Sequence, residues 1–198
     1  MQPIILASGS QIRADLLSRA RVSYEVQKPS IDEHSVKDSM LAEGASPRDI
    51  ADALAQAKAR KVASKNPGRL VLGSDQILDL DGEVLSKPES EKDAVEQLRR
   101  MRGRRHTLLS AAVIFEDQQP VWRHVGQVRM YMRDLSDQWI ESYVDRNWSS
   151  IKMTVGCYKL EEEGARLFTR VDGDYFNVLG LPLLELLSYL TIRGTLSS

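Results

Sequence analysis

A buried strand that must turn back on itself within two or three residues constrains this chain more than any other feature. Leu70-Val71-Leu72-Gly73-Ser74-Asp75-Gln76 begins apolar and ends polar, and Asp81-Gly82 a few residues on is a strong hairpin signal. Gly73 is expected to let the backbone bend, and Asp75 to emerge at the strand end. The loop length decides the cross-strand partners. A two-residue loop pairs Leu80 with Glu83 and, by extension, Gln76 with Lys87. A three-residue loop with Gly82 left-handed pairs Asp79 with Glu83 and Asp75 with Lys87. Either register gathers an acid, an amide and an ammonium at one strand end, a combination suited to a phosphate and a metal ion. An exposed cross-strand ion pair, worth little energetically, accounts for the same two charges.

The rest of the chain mixes short strands with helices. Ile4 to Leu6 reads as a buried strand. Ser8-Gly9-Ser10 breaks it, and Ser10 is positioned to cap a helix through about Arg21, striped by Ile12, Leu16 and Ala20. Tyr24 to Gln27 reads as a second strand, and the polar stretch from Ile31 to Gly44 as a loop. Ser46-Pro47 opens a helix with Ile50, Leu54, Ala57 and Lys61 along its inner or boundary side. Ser90 with Asp93 opens another, closed by Gly103. His106 to Phe115 and Val121 to Arg133 read as strands, the second with Val128, Met130 and Met132 alternating against Arg129, Tyr131 and Arg133. Ser136 caps a helix. Cys157 to Glu161 and Arg166 to Val171 are expected as short strands, and a last apolar helix starts near Pro182. The pattern implies an α/β or α+β domain over residues 1–198, with strand order left open.

Composition excludes several classes. With 198 residues and a formal net charge of −1, the chain has no broad basic surface, so no nucleic-acid partner is expected. A single cysteine, Cys157, forbids an internal disulfide and fits a reducing compartment as a small buried residue. No apolar run approaches the roughly 18 residues of a membrane span, and Met1-Gln2-Pro3 leads straight into Ile4 without a basic, apolar leader. A cytoplasmic protein with no membrane partner is expected.

The candidate chemistry sits in a few short segments. Ser8, Ser10 and Arg13 lie at a strand-to-helix junction, where free backbone N–H groups attract phosphate; an ordinary serine-capped turn explains the same residues. No Walker lysine and no GxGxxG occurs, which leaves a P-loop or a Rossmann dinucleotide site unsupported. Asp32-Glu33 falls in the polar stretch, as a metal ligand or as a solvated turn. Lys58 falls at the edge of a helical stripe, where a snorkelling surface lysine is the common case. His34, His106 and His124 have no metal-ligand spacing, and no GxSxG elbow is present.

In their order along the chain these segments resemble the Maf family of nucleotide pyrophosphatases. Ile5-Leu6-Ala7-Ser8-Gly9-Ser10-Gln11-Ile12-Arg13 is similar to its opening motif, with Gln11 where proline is usual. Asp32-Glu33 resembles its acidic segment, and Leu54-Ala55-Gln56-Ala57-Lys58-Ala59 its lysine-bearing helix. Gly73-Ser74-Asp75-Gln76 with Lys87-Pro88 resembles its central pair of motifs, and Gly173-Asp174-Tyr175 through Gly180-Leu181-Pro182 its carboxyl-terminal signature. The resemblance implies an α/β fold with an elongated mixed sheet flooring a cleft between two lobes. It implies hydrolysis of a nucleoside triphosphate to the monophosphate and pyrophosphate with a divalent cation, Mg²⁺ or Mn²⁺, held by Asp75 and Glu33. Asp75, Glu33, Lys87 and Lys58 would be the catalytic residues. Ser8, Ser10, Arg13, Gln76, Lys159 and Glu161 would bind the substrate. Gly-Ser-Asp-Gln at 73–76 and Gly156-Cys157-Tyr158-Lys159-Leu160-Glu161 resemble the branch that prefers 7-methyl-GTP, although Ile12 stands where that branch tends to carry tryptophan. The alternatives are a dTTP/UTP pyrophosphatase and a non-catalytic nucleotide-binding regulator of cell division. A homodimer is compatible with the same resemblance.

Overall fold

The computed structural model describes residues 2–197. Seven strands form one mixed sheet, giving the α/β class expected. β1 (Ile4–Ala7), β2 (Tyr24–Val26), β3 (Val71–Leu80), β5 (Arg105–Glu116), β6 (Gln119–Met132) and β7 (Phe168–Asp172) lie in the order β2-β1-β3-β5-β6-β7, and β4 (Glu83–Leu85) pairs with β3. β1 pairs parallel with β2 and with β3, whereas β3–β4 and β6–β7 are antiparallel. The chain divides into two compact units. The first comprises residues 1–76, 109–126 and 174–198, and the second residues 77–108 and 127–173.

In the first unit, β1 and the start of β3 are wholly apolar on both faces, as parallel strands covered by helices require. Helix α1 (Gln11–Arg19) buries Leu16 and Leu17 beside Ile4, Leu6 and Leu72. Helix α7 (Leu183–Ile192) adds Leu183, Leu186 and Leu190 to the same core. Helix α3 (Pro47–Ala63) is capped by Ser46, whose Oγ accepts from the Asp49 N–H at 3.2 Å. It buries Ile50, Leu54, Ala55, Lys58, Ala59 and Val62, while Ala57 is half-buried and Lys61 exposed. The inward face is therefore rotated from the one expected, and Lys58, not Lys61, points inward. Gly73 serves close approach and not a bend. A Cβ there would lie 2.2 Å from the Ala55 carbonyl oxygen and 2.6 Å from the Ala59 nitrogen, so only glycine lets α3 pack on β3.

The expected loop at 31–44 is a helix, α2 (Glu33–Ala42). Asp32 caps it by accepting the Ser35 N–H at 3.0 Å, and Glu33 complements the positive end of the helix dipole. None of its residues is fully buried; Val36 and Met40, four apart, are half-buried. The stripe is too narrow to stand out in the sequence. A four-residue helix, α6 (Tyr175–Val178), capped by Asp174, was also not anticipated.

In the second unit, the hairpin adopts the two-residue register. Leu80 pairs with Glu83, with Asp81 (φ 53°) and Gly82 (φ 91°) forming the turn. The ladder ends where Leu78 faces Leu85, so Lys87 lies beyond it. Helix α4 (Glu91–Met101) packs on helix α5 (Asp137–Ile151), and Ser90 and Ser136 cap them as anticipated. The strand expected at Cys157–Glu161 does not form. Residues 155–157 make a 3-10 turn with Gly156 and Cys157 at positive φ, and residues 163–167 make another. Cys157 is buried and free, as expected, and burial pushes its thiol well up. Among the described residues no helix is long and apolar enough to cross a membrane.

Candidate functional site

The first unit holds seven of the expected residues, on the β1–α1 junction, the start of α2, α3 and β3. Lys58 Nζ lies 2.6 Å from Asp75 Oδ1 and 2.9 Å from Glu33 Oε1. Lys58 and Asp75 are each only 6% exposed, whereas about half of the Glu33 side chain reaches solvent. Asp75 is the fifth residue of β3 and lies inside the strand, not at its end as expected. It faces α3 because its neighbours Ser74 and Gln76 alternate to the other face of the sheet. Lys58 is neither exposed nor snorkelling. Its ammonium joins a strand carboxylate to the carboxylate at the start of α2.

Arg13 is 8% exposed and ties three segments together. Its Nε donates to the Gly180 carbonyl at 2.8 Å, and its Nη1 donates to the Ser74 carbonyl at 3.0 Å and to Ser8 Oγ at 3.3 Å. Ser74 Oγ adds a donation to the same Gly180 carbonyl at 3.1 Å. Ser10 occupies the cap position of α1, yet its hydroxyl caps nothing. Instead the Ser10 N–H donates to Ser8 Oγ at 3.2 Å. Ser8 Oγ thus spends both lone pairs on Arg13 and Ser10, which leaves its proton to donate outward.

Electrostatics follow from burial. Desolvation pushes the Asp75 carboxyl above the ordinary aspartate value; Lys58 and Arg13 pull it back, and Glu33 adds to the rise. Desolvation likewise lowers the Arg13 guanidinium, opposed by Asp75 and Glu33. Two carboxylates converging on one cation are oxygen donors of the kind that hold Mg²⁺ or Mn²⁺ together with substrate phosphates. The donor chemistry fits such an ion, which Asp75 and Glu33 would hold; the described residues contain no cluster of three or more candidate ligands.

Gln76 completes the group in the first unit. Its Nε2 donates toward Ser110 Oγ and the carbonyls of Asn177 and Val178, each at 3.0 Å. Sequence reasoning missed Ser74, Ser110, Asn177 and Gly180. Ser74 and Gly180 sit inside quoted motifs, but nothing in their pattern says that one bonds the other. Ser110 lies in an otherwise apolar stretch of β5, residues 108–115, and a serine among Leu108, Leu109, Ala111 and Ala112 was the available signal.

Lys87, Lys159 and Glu161 belong to the second unit. Lys87 is exposed. Lys159 Nζ donates to Ser150 Oγ at 2.6 Å and pairs with Glu162 at 3.0 Å, and Glu161 is exposed in a turn. Tyr158 is buried, with its hydroxyl 2.7 Å from His106 Nε2 and its ring edge-on to Phe168. The 3-10 turn and the core contacts of Tyr158 set its direction.

A family model described as Maf-like protein matches residues 3–192. The nucleoside triphosphate pyrophosphatase of Ruegeria pomeroyi is 61% identical over 99% of this chain and 98% of its own length. The protein of the same name from Roseobacter denitrificans is 63% identical over 98% of both chains. The 7-methyl-GTP pyrophosphatase of Rhizobium meliloti is 44% identical over the full length of both.

Proposed function

The chain belongs to the Maf-like protein family, and on that premise we infer that it is an enzyme, a nucleoside triphosphate pyrophosphatase that yields a nucleoside monophosphate and pyrophosphate. One observation carries the assignment of residues to chemistry: a buried lysine bridges two carboxylates beside a buried arginine. Asp75 is the general base. Its carboxylate keeps unused acceptor directions beyond the ion pair, and burial raises its basicity. Lys58 steadies that charge until a phosphate arrives and then shares it. The Arg13 Nη2 group makes no hydrogen bond among the described residues, and it and the Ser8 hydroxyl are the remaining donors toward phosphate oxygens. Ser10 leaves the first N–H groups of α1 uncapped and available to the same oxygens. Lys87, in the second unit, is a further candidate for phosphate on the family resemblance alone. A divalent ion held by Asp75 and Glu33 would neutralise phosphate charge and acidify water.

Within that activity the reading extends to 7-methyl-GTP. The Gly73-Ser74-Asp75-Gln76 segment, the 156–161 segment and the Rhizobium meliloti relative support it. Methylated guanine is cationic, and the exposed carboxylate of Glu161 favours a cation. Within the first unit, Gln76 is read as a base-side residue. The test is pyrophosphate release from 7-methyl-GTP, GTP, dTTP and UTP with Mg²⁺ or Mn²⁺. Pyrophosphate and monophosphate should appear in equal amounts, and a chelator should abolish both. Orthophosphate as first product would overturn the activity. Faster turnover of dTTP or UTP than of 7-methyl-GTP would overturn the preference alone. Glu161→Gln should narrow the preference for 7-methyl-GTP over GTP by roughly tenfold.

A further inference from the structure

Gln76 stands in an unusual frame. Its amide nitrogen faces three oxygens at 3.0 Å: Ser110 Oγ and the backbone carbonyls of Asn177 and Val178. None of the three has a proton to give back. The carbonyls are acceptors only, and Ser110 donates its single proton to the Asn177 carbonyl at 2.6 Å. Turning the amide over would set Oε1 against two carbonyl oxygens and a hydroxyl already committed, so the polarity of Gln76 is decided by its surroundings.

The frame itself is held firmly. The Asn177 N–H and Nδ2 both donate to Asp174 Oδ2, at 3.0 and 3.1 Å. Gly126 packs against the Asn177 amide so closely that a Cβ would lie 1.9 Å from Oδ1. Ser110 is fully buried. Gln76 Oε1, by contrast, has no donor among the described residues, and it lies near Gly180, on the side where Arg13 also arrives.

We propose that Ser110 is a positioning residue for the reaction, which together with the Asn177 and Val178 carbonyls fixes Gln76 as a hydrogen-bond acceptor only, so that the site selects a base offering an N–H donor to Gln76 Oε1. This rests on the reading of Gln76 as a base-side residue. Ring or amino N–H groups of guanine meet the requirement, and a purine stripped of both does not.

The experiment compares GTP with purine riboside triphosphate, which has the same ribose and triphosphate but no N–H on the base, and uses 7-methyl-GTP as the activity control. The wild type should favour GTP in kcat/KM by roughly tenfold, the scale of one hydrogen bond to a group otherwise left unsatisfied. Gln76→Met should bring the ratio close to one. Ser110→Ala should reduce it mainly through KM, and Ser110→Thr, which restores a hydroxyl, should recover it. A role confined to bracing the fold predicts a lower melting temperature with the nucleotide ratio intact. An unchanged ratio in folded Gln76→Met or Ser110→Ala overturns the proposal while 7-methyl-GTP turnover leaves the activity standing. Failure of the wild type on all three purine nucleotides overturns the proposal together with the guanine-nucleotide preference, and turnover of dTTP or UTP then tells whether the pyrophosphatase activity stands.

Discussion

The Lys58 ammonium sits 2.6 Å from the Asp75 carboxylate with both side chains almost fully buried, and the half-exposed Glu33 carboxylate approaches the same nitrogen at 2.9 Å. A buried pair of this kind is costly to break from one side, because the survivor remains desolvated. The exposed third member offers partial compensation, and that asymmetry separates catalytic from structural effects.

Asp75→Asn removes the base while keeping the shape. Turnover should fall by roughly a hundredfold or more, the lower range for losing a general base. Because Asp75 is an interior strand residue paired with Lys58, stability should fall too, by roughly 1–3 kcal/mol, with Glu33 retaining the ammonium. Pyrophosphate release and thermal melts measure the two separately. Wild-type turnover in a folded variant would sink the assignment of Asp75.

Lys58→Met leaves two carboxylates without their cation. The folded-state value of Asp75 is already raised by burial, and this change raises it further. A raised carboxyl contributes its stability below the unfolded value and loses it as pH climbs through the folded value. The variant should therefore be destabilised by roughly 3 kcal/mol at pH 8 and by only about 1 kcal/mol at pH 5. Denaturant melts at the two pH values check the slope, and equal losses at both would contradict the buried pair.

Lys87 is exposed and lies beyond the hairpin ladder. Lys87→Ala should lower turnover while the melting temperature moves little, as at most surface positions. A large drop in melting temperature with normal specific activity would make Lys87 a brace of the fold.

His106 is buried, with Nε2 on the Tyr158 hydroxyl and Nδ1 without a partner among the described residues, and burial lowers its pKa to about 4. The unfolded chain binds that proton near pH 6.5, so stability is fully present above about pH 6.5 and is lost as pH falls toward 4. The loss should reach roughly 3 kcal/mol. His106→Gln should flatten this part of the pH–stability curve. An unchanged slope between pH 6.5 and 4 would assign it to other groups.

Local chemistry was enough to place most elements. Serine caps at Ser46, Ser90 and Ser136, the alternation of Val128, Met130 and Met132, and the Asp81-Gly82 turn all act over a few residues, and each appears where the sequence puts it. The failures are also local in origin. The helix at 33–42 buries no residue completely, so its periodic signal is faint, and residues 157–161 carry β-formers that the positive φ of Gly156 and Cys157 turns away from a strand.

The amino-acid sequence alone determined which candidate groups this protein offers for phosphate chemistry: Ser8, Ser10, Arg13, Glu33, Lys58, Asp75, Gln76 and Lys87, in a recognisable order. Tertiary structure decided what each of them faces. Whether Asp75 pairs with Lys87 or Lys58, whether Arg13 meets solvent or the Gly180 carbonyl, and which end of the Gln76 amide points outward all depend on segments up to 167 residues apart. Such partnerships come from the approach of α3 to β3 across Gly73 and of the 177–180 turn to β3. Burial then turns those approaches into chemistry, because a desolvated charge or amide must take whichever partner the packing brings within hydrogen-bond reach.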